Sequence, residues 1–238
     1  MNAKRIKRNA VIGILFFLPV TFLLFLYPAE HHYNTLDILN SNVTDLNGFT
    51  SDTDDDILLE DHLTVVGFFG KHPLEKSTTA LNLKELVYDK FKGFKTFQIV
   101  IILPEGSEAE AKELKIELMQ YEELKYWHFI YGSPNAIHAV YNSLNVPDTL
   151  DANFATDDVF IIDKELNLRG RFDDRSDNEL ANQTAAYSKF SYDAIKVADI
   201  KNKMSEDVRI LFTEYRQKRK GNFDSTSRRA NDLKGTDE

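Results

Sequence analysis

Residues 67–76, GFFGKHPLEK, hold the side chains best suited to chemistry in this chain, with His72 between Lys71 and Lys76. An imidazole at this point could bind a metal ion or transfer a proton near neutral pH. Two neighbouring ammonium groups repel a metal cation, however, and Glu75 is the only carboxylate nearby. The segment therefore favours an exposed loop histidine ahead of a helix over a metal site.

Other catalytic patterns are absent from the sequence. No cysteine occurs, which excludes disulfides, thiol nucleophiles, two-thiolate metal sites and iron–sulfur clusters. Ser77, Thr78 and Thr79 follow His72, but there is no Gly-x-Ser-x-Gly elbow and no carboxylate placed to orient the imidazole. Glycine motifs for phosphate or dinucleotide binding are also missing. The sequence therefore predicts no catalytic residue, no cofactor and no metal, and thus a protein that is not an enzyme.

The other histidines have simpler interpretations. His31 and His32 follow the N-terminal apolar run and are favoured as linker residues over contacts with a metal or lipid headgroups. His128 lies in a predicted strand, and His138 lies on a predicted helix where it faces solvent. None of them has a visible partner for catalysis.

Two clusters of basic residues could bind an anion or a partner protein. Arg169 and Arg171 share one face of a predicted strand and are followed by Asp173 and Asp174, which favours local ion pairs open to water over an anion or partner contact. The second cluster consists of Arg216, Lys218, Arg219 and Lys220 at the end of the last predicted helix. Cations stabilise the C-terminal end of a helix dipole, so capping is favoured over binding.

Charge is distributed unevenly along the chain. The 238 residues carry 29 Lys and Arg against 38 Asp and Glu, a net charge of −9. Lys4, Arg5, Lys7 and Arg8 put +4 into the first ten residues, so residues 11–238 carry −13. This balance argues against a nucleic-acid partner.

Residues 11–28, VIGILFFLPVTFLLFLYP, form an apolar run without a charged residue. Such a run predicts a transmembrane helix in contact with the lipid bilayer, and the basic residues before it place the N-terminus in the cytoplasm. A cleaved signal peptide fits less well, because cleavage after Ala29 would put Tyr27 where a small residue is needed. Residues 1–29 are thus predicted to be a signal anchor, and the protein a single-pass membrane protein with an extracytoplasmic C-terminal domain, periplasmic in a bacterium.

The body divides by composition into three parts. Residues 30–63 are polar and acidic with a turn signal at Asn47-Gly48, which predicts an acidic linker merging into an N-terminal hairpin. Residues 64–220 carry the periodicity of a folded domain. Residues 221–238 are polar and charged, and are predicted to be a disordered tail.

The folded domain alternates buried strands with amphipathic helices. Strands are predicted at residues 65–69, 97–103 and 127–131, each followed by apolar residues at helical spacing. Residues 159–162 and 166–172 predict an antiparallel hairpin, and a long helix follows around residues 200–215. This order predicts an α/β fold: a thioredoxin-like sandwich with a mixed central sheet, preceded by one N-terminal transmembrane helix.

Two helix starts in this domain are marked by polar residues. Ser107 with Glu110 predicts a capping box, in which each side chain accepts a hydrogen bond from the other residue's backbone N–H. Ser133 before Pro134 predicts an N-cap followed by proline at the first helical position.

Three segments stand in an order that is found in a known protein family: residues 67–76, then Trp127-His128-Phe129, then residues 155–163 with Arg169-Gly170 after them. They resemble, respectively, the Phe-rich strand running into a Cys-Pro-x-x-Cys loop, the Trp-x-Phe strand, and the segment with the metal-binding histidine of the Sco/SenC family. Proteins of this family are membrane-anchored, thioredoxin-fold copper proteins that assist cytochrome c oxidase assembly. With the N-terminal anchor, the resemblance covers residues 10–215.

The departures from this family concern its copper ligands. The resemblance implies two thiolates and one imidazole, yet His72 stands at the first cysteine position, Lys76 at the second and Ala155 at the histidine position. The soft sulfur ligands that suit Cu(I) are gone, and dithiol exchange is impossible without sulfur. The family's chemistry therefore does not carry over to this chain.

These observations predict a non-catalytic relative of that scaffold, which binds a partner protein of unknown identity in or near respiratory oxidase assembly. Two alternatives stay open. One is a structural subunit of a membrane complex. The other is an enzyme or metal carrier with a site rebuilt around His72 and His62.

Overall fold

The computed structural model of the chain describes residues 3–26, 35–53, 56–120 and 123–219. Its contacts divide the chain into two compact units, Met1–Asn34 and Thr35–Glu238. His31, His32 and the predicted tail 221–238 lie outside the described residues.

The N-terminal unit contains helix α1, Ala3–Leu26. Apolar side chains along its second half are exposed, and Leu15, for example, is 75% accessible. Among the residues whose side chains are described, no helix combines the length and the apolar character needed to cross a membrane. The membrane span predicted over residues 11–28 stays a prediction.

The second unit is built on one mixed sheet. In the described part of the chain its strands are β1 (Asp37–Asn40), β2 (Thr50–Ser51), β3 (Leu63–Phe69), β4 (Phe97–Pro104), β5 (Trp127–Gly132), β6 (Ala155–Ile162), β7 (Leu168–Gly170) and β8 (Tyr192–Asp193). They are ordered β1-β7-β6-β3-β4-β5-β2, and β8 pairs with β6. β3, β4 and β5 are parallel, whereas β6 is antiparallel to both β3 and β7. The predicted mixed sheet and the predicted hairpin of β6 and β7 are confirmed.

Helices connect the parallel strands and close the fold. They are α2 (Ser77–Leu83), α3 (Asp89–Phe91), α4 (Glu108–Leu118), α5 (Pro134–Ser143), α6 (Asp177–Ala181) and α7 (Ser205–Arg219). A 3₁₀ helix, Pro73–Lys76, precedes α2, and π-helical turns lie at Lys84–Tyr88 and Asp199–Met204.

The core lies on both faces of the sheet. Every residue of β3 and β4 is buried, which is why their sequences are continuous apolar runs rather than alternating ones. On one face the ring of Tyr141 in α5 lies 5.2 Å from that of Phe68. On the other face Tyr88 packs edge-on against Trp127 at 5.9 Å. Helices therefore cover both faces, as the predicted sandwich requires.

The hairpin predicted within residues 30–63 is wrong. β1 pairs with β7, and β2 pairs with β5, so the two strands lie at opposite edges of the sheet. The carboxylate of Asp45 holds the connection between them, because it accepts hydrogen bonds from the N–H groups of Leu46 at 2.7 Å and Leu59 at 2.6 Å. The Asn47-Gly48 turn does form, but it belongs to this connection and not to a hairpin.

One of the two predicted helix starts is confirmed. The Ser133 hydroxyl accepts a hydrogen bond from the N–H of Ala136, as an N-cap does. The capping box predicted at Ser107 does not form. The Ser107 hydroxyl instead donates to the carbonyl oxygen of Pro104 at 2.7 Å, so it closes the preceding turn.

Candidate functional site

The positions at which the resemblance places copper ligands, His72, Lys76 and Ala155, lie where β3 ends beside the start of β6. The candidate site around them consists of residues 70–76 and 151–157. Phe69, the last residue of β3, is in register with Ala155, the first residue of β6. The Lys71 N–H donates to the carbonyl oxygen of Asn153 at 3.0 Å. Backbone pairing thus continues past the end of the strand and fixes the loop that carries His72.

Gly70 allows this close approach. Its φ of +70° lies in the left-handed region that side chains disfavour. A Cβ at this position would lie 2.4 Å from the carbonyl oxygen of Asn153 and 2.8 Å from the Cβ of Ala155. Only glycine fits between the two segments, and the loop leaves β3 in the direction that places His72 at the sheet end.

His72 precedes the 3₁₀ helix, which begins at the buried Pro73. Its Nδ1 lies 3.2 Å from the Oε1 of Glu110 on α4, and the His72 and Glu110 side chains are 52% and 38% exposed. Such an exposed pair contributes little to stability, but it occupies the imidazole nitrogen that faces the domain.

Lys76 points toward β6. Its ammonium donates to the Oδ1 of Asp157 at 2.7 Å, and the lysine side chain is only 18% exposed. The Thr79 hydroxyl approaches the same carboxylate oxygen at 3.4 Å. The charge at the second ligand position of the family is therefore neutralised within the chain.

Ala155 offers a methyl group that is almost buried, at 7% exposure. Asp151 shapes the loop before it, because its Oδ1 accepts hydrogen bonds from the N–H groups of Asn153 and Ala155 at 2.8 Å each. Phe154, with a φ of +64°, lies under the Lys71 ammonium, 5.3 Å from the ring centre.

The structure brings the three sequence-predicted positions to the same end of the sheet. Ala155 lies against Gly70, two residues before His72, and Lys76 reaches Asp157, two residues after Ala155. An ammonium, a methyl group and an imidazole paired with a carboxylate do not fit a Cu(I) site, which calls for soft sulfur ligands. Across the described residues, no cluster of three or more His, Asp or Glu side chains could hold a metal ion.

His62 cannot join His72 in a rebuilt site. It precedes β3, whereas His72 follows it, and a strand of seven residues separates them by about 20 Å. The Nδ1 of His62 lies 2.9 Å from the carbonyl oxygen of Glu60 in its own loop. The alternative of a shared histidine site is therefore wrong on geometry.

The water-exposed ion pairs predicted for Arg169 are also wrong. Its guanidinium is 3% exposed and donates to Asp163 at 2.9 Å, to Glu214 at 2.8 Å and to the carbonyl oxygen of Leu36 at 2.9 Å. Glu214 comes from α7, which covers β7 and excludes water. The sequence signal for this contact is a carboxylate on the apolar face of the last helix.

Arg171 is partly exposed and keeps a predicted local pair, since its Nε lies 3.9 Å from the Oδ1 of Asp174, but it also enters a second cluster with buried partners. Its guanidinium pairs with Asp207 of α7, and the Tyr192 hydroxyl donates to the other oxygen of that carboxylate at 2.6 Å. Burial raises the pKa of Asp207, although Arg171 and the Tyr192 hydroxyl favour its charged form. These residues fix α7 and β8 against the sheet and are structural.

Asp158 lies beside the candidate site, at an open cavity of about 650 Å³ that Asp148 and Asp193 also line. Burial raises the pKa of Asp158, a hydrogen bond with Ser191 opposes the rise, and the Asp193 and Asp148 carboxylates add to it. The folded state therefore favours the protonated form of this side chain.

Replacing Asp158 with asparagine is expected to stabilise the protein near neutral pH. A carboxyl with a raised folded-state pKa costs stability once the pH exceeds its unfolded value of 3.8. Thermal denaturation should show a higher melting temperature for Asp158→Asn at about pH 7, and a smaller difference from the wild type at about pH 3. Asp56→Asn, at an exposed position that does not line this cavity, should change little at either pH. A melting temperature that falls at neutral pH would contradict this expectation.

No family model and no curated protein matches the chain. Among solved structures, apo Sco1 from Thermus thermophilus is similar at 14% identity and a TM-score of 0.44, over 77% of this chain and 99% of that one. Copper-bound ScoI from Arabidopsis thaliana is similar at 17% identity and a TM-score of 0.40, over 68% and 94%. The thioredoxin domain of a thiol-disulfide oxidoreductase from Bacteroides vulgatus is similar at 16% identity and a TM-score of 0.35, over 64% and 96%. The chain resembles the Sco family distantly, and the likeness concerns the fold alone.

Proposed function

We propose that this chain is a membrane-anchored, extracytoplasmic, thioredoxin-fold protein that binds a partner protein without catalysis, in or near cytochrome c oxidase assembly. The oxidase setting is taken from the resemblance of the sequence motifs. One observation supports the part of this proposal that excludes metal and redox chemistry. At the end of the sheet where the family holds copper, His72 and Lys76 are paired with Glu110 and Asp157, and Ala155 contributes a methyl group.

The same observation argues for a binding role. A scaffold that has lost its reactive side chains still presents loops at a rigid sheet end, and such loops are common sites of recognition. At this end Lys71, His72 and Glu110 are exposed or half-buried, so they offer charged groups to a partner. Their positions are fixed by the Gly70 turn and the buried Pro73.

The exposed apolar side chains of α1 support the anchor. Leu15, Phe16 and Phe17 are 65–75% accessible in the described chain, and water is a poor environment for such a stretch. A lipid bilayer would cover them, and the basic residues before the helix would stay on the cytoplasmic side. A fixed structural subunit of a membrane complex is the second candidate, because neighbouring helices would cover the same surface.

Copper binding is the test of the proposed loss of chemistry. The full chain in detergent micelles is expected to leave Cu(I) with the chromogenic chelator bicinchoninate, since it holds no thiolate. Uptake of one Cu(I) per chain from the chelator would contradict the proposal. A His72→Cys and Lys76→Cys double variant is the positive control, because its two thiolates lie one helical turn apart and should draw Cu(I) from the chelator.

Co-purification separates the two candidates. The intact chain and a variant without residues 1–29 would be isolated from detergent-solubilised membranes of the native host. A structural subunit should remain in a fixed ratio with one complex, and only when the anchor is present. A partner-binding factor should be recovered in variable ratio, and its partner should dissociate on dilution.

A further inference from the structure

A groove of about 520 Å³ lies between α7 and the segment that joins α3 to β4, away from the candidate site. Five cations line it, namely Lys90, Lys164, Arg209, Arg216 and Arg219. No carboxylate is among its described lining residues. Since residues 11–238 carry −13, this cationic groove runs against the charge of the whole domain.

The cations of the groove are only partly neutralised. Within the described residues, Arg216 and Arg219 have no ion-pair partner, and the Lys164 ammonium rests over the Tyr215 ring at 5.1 Å. Arg209 pairs with Glu206 at 2.7 Å, but both side chains are about half exposed, so this pair is weak.

The surroundings of Lys90 show that positive charge in the groove is not balanced. Its ammonium donates to the Ser205 hydroxyl at 2.9 Å, a neutral partner. Burial lowers the pKa of Lys90, and the nearby cations Arg209 and Lys201 lower it further against the opposing effect of Glu206. An anion entering the groove would relieve this repulsion.

Stacked aromatic rings line the groove beside the cations. The rings of Phe94 and Phe212 stack at 4.2 Å, and Phe212 stacks in turn on the buried Phe91 at 5.6 Å. Phe94, at the outer end of this stack, is 48% exposed. Its open face can receive one more ring, and aromatic pairs of this kind add about 1 kcal/mol beyond the area they bury.

We propose that the cationic groove binds an acidic peptide segment of a partner protein, with an aromatic side chain of that segment stacked on Phe94. Arginine forks match carboxylates in a bidentate geometry, and the concave groove suits a chain segment better than a flat lipid surface. A nucleic acid is disfavoured by the acidic body around the groove. The assignment of the ligand to a partner protein rests on the function proposed above.

The test uses the full chain in non-ionic detergent and a synthetic glutamate-rich peptide with one central tyrosine. Calorimetry should detect binding that weakens as salt is raised. Arg216→Glu with Arg219→Glu is expected to reduce affinity at least about tenfold, or 1.4 kcal/mol. Lys112→Glu with Lys125→Glu makes the same charge change at exposed positions outside the groove and should leave affinity nearly unchanged.

Further measurements test the aromatic contact and compare the peptide with other ligands. Replacing the tyrosine of the peptide by alanine should weaken binding to the wild type severalfold, and Phe94→Ala should abolish that preference. The proposal is overturned if the peptide does not bind, if the two double variants behave alike, or if ATP or phosphatidylserine vesicles bind more tightly than the peptide. Cu(I) uptake would instead refute the proposed function and leave the peptide result standing.

Discussion

Replacing Arg169 with methionine is expected to lower the free energy of unfolding by about 3–5 kcal/mol. The guanidinium is 3% exposed and is the cationic partner of the equally buried Asp163 and Glu214. Without it, two carboxylates share a site that water does not reach, and the carbonyl oxygen of Leu36 loses its donor. Asp163 is then left without a cationic partner among the described residues, and Glu214 keeps only Lys218, whose partly exposed ammonium lies 3.1 Å from its other oxygen.

Urea denaturation monitored by tryptophan fluorescence would measure this loss, since Trp127 is buried in the sheet. Arg175→Met is the matched control, because Arg175 pairs with Asp173 on the surface and its removal should change stability little. Combining Arg169→Met with Asp163→Asn and Glu214→Gln should recover part of the loss, since it removes the stranded charges. Equal midpoints for the Arg169 and Arg175 variants would refute the role of the buried network.

Much of the fold could be predicted because its main signals are local. β3 and β4 are continuous apolar runs, and β6 with β7 is a hairpin closed by the Asp163 turn. β1 and β2 gave no such signal. They are only four and two residues long, they lie at the sheet edges, and their partners β7 and β5 come much later in the chain.

The candidate site, like the fold, has one part that could be predicted from the sequence and one that could not. The convergence of His72, Lys76 and Ala155 could be predicted from motif order. His72 and Lys76 follow β3, Ala155 begins β6, and the fold places these two strands side by side. Their ion-pair partners could not. Glu110 comes from a helix that no motif links to His72, and only the folded structure brings them within 3.2 Å.

The groove could not be predicted for the same reason. Capping was the favoured interpretation of Arg216 and Arg219, because only their position at a helix end is visible in the sequence. Lys90 and Lys164 come from distant segments and join them only through the packing of α7. A local charge pattern indicates a solvated helix end, whereas the same charges around an aromatic stack indicate a binding surface.

Gly70→Ala is expected to destabilise the protein by about 3 kcal/mol, with the left-handed backbone and the steric overlap each contributing about half of this. The new Cβ would lie 2.4 Å from a backbone oxygen, that of Asn153, which cannot move aside without breaking the Lys71–Asn153 hydrogen bond. Gly48→Ala is the matched control. Its φ of +85° is similarly unfavourable, but no atom lies within 4 Å of the added Cβ, so it should cost only about 1.5 kcal/mol.

Urea denaturation of both variants separates the two contributions, because strain is common to them and the overlap is confined to Gly70. Amide exchange would add a local readout, in which the N–H of Lys71 should lose protection in Gly70→Ala and keep it in Gly48→Ala. If the two glycines prove equally sensitive, the loop is not clamped against β6. In that case the sheet end does not hold His72 and Ala155 at fixed positions, and a partner surface built on that rigidity loses its physical basis.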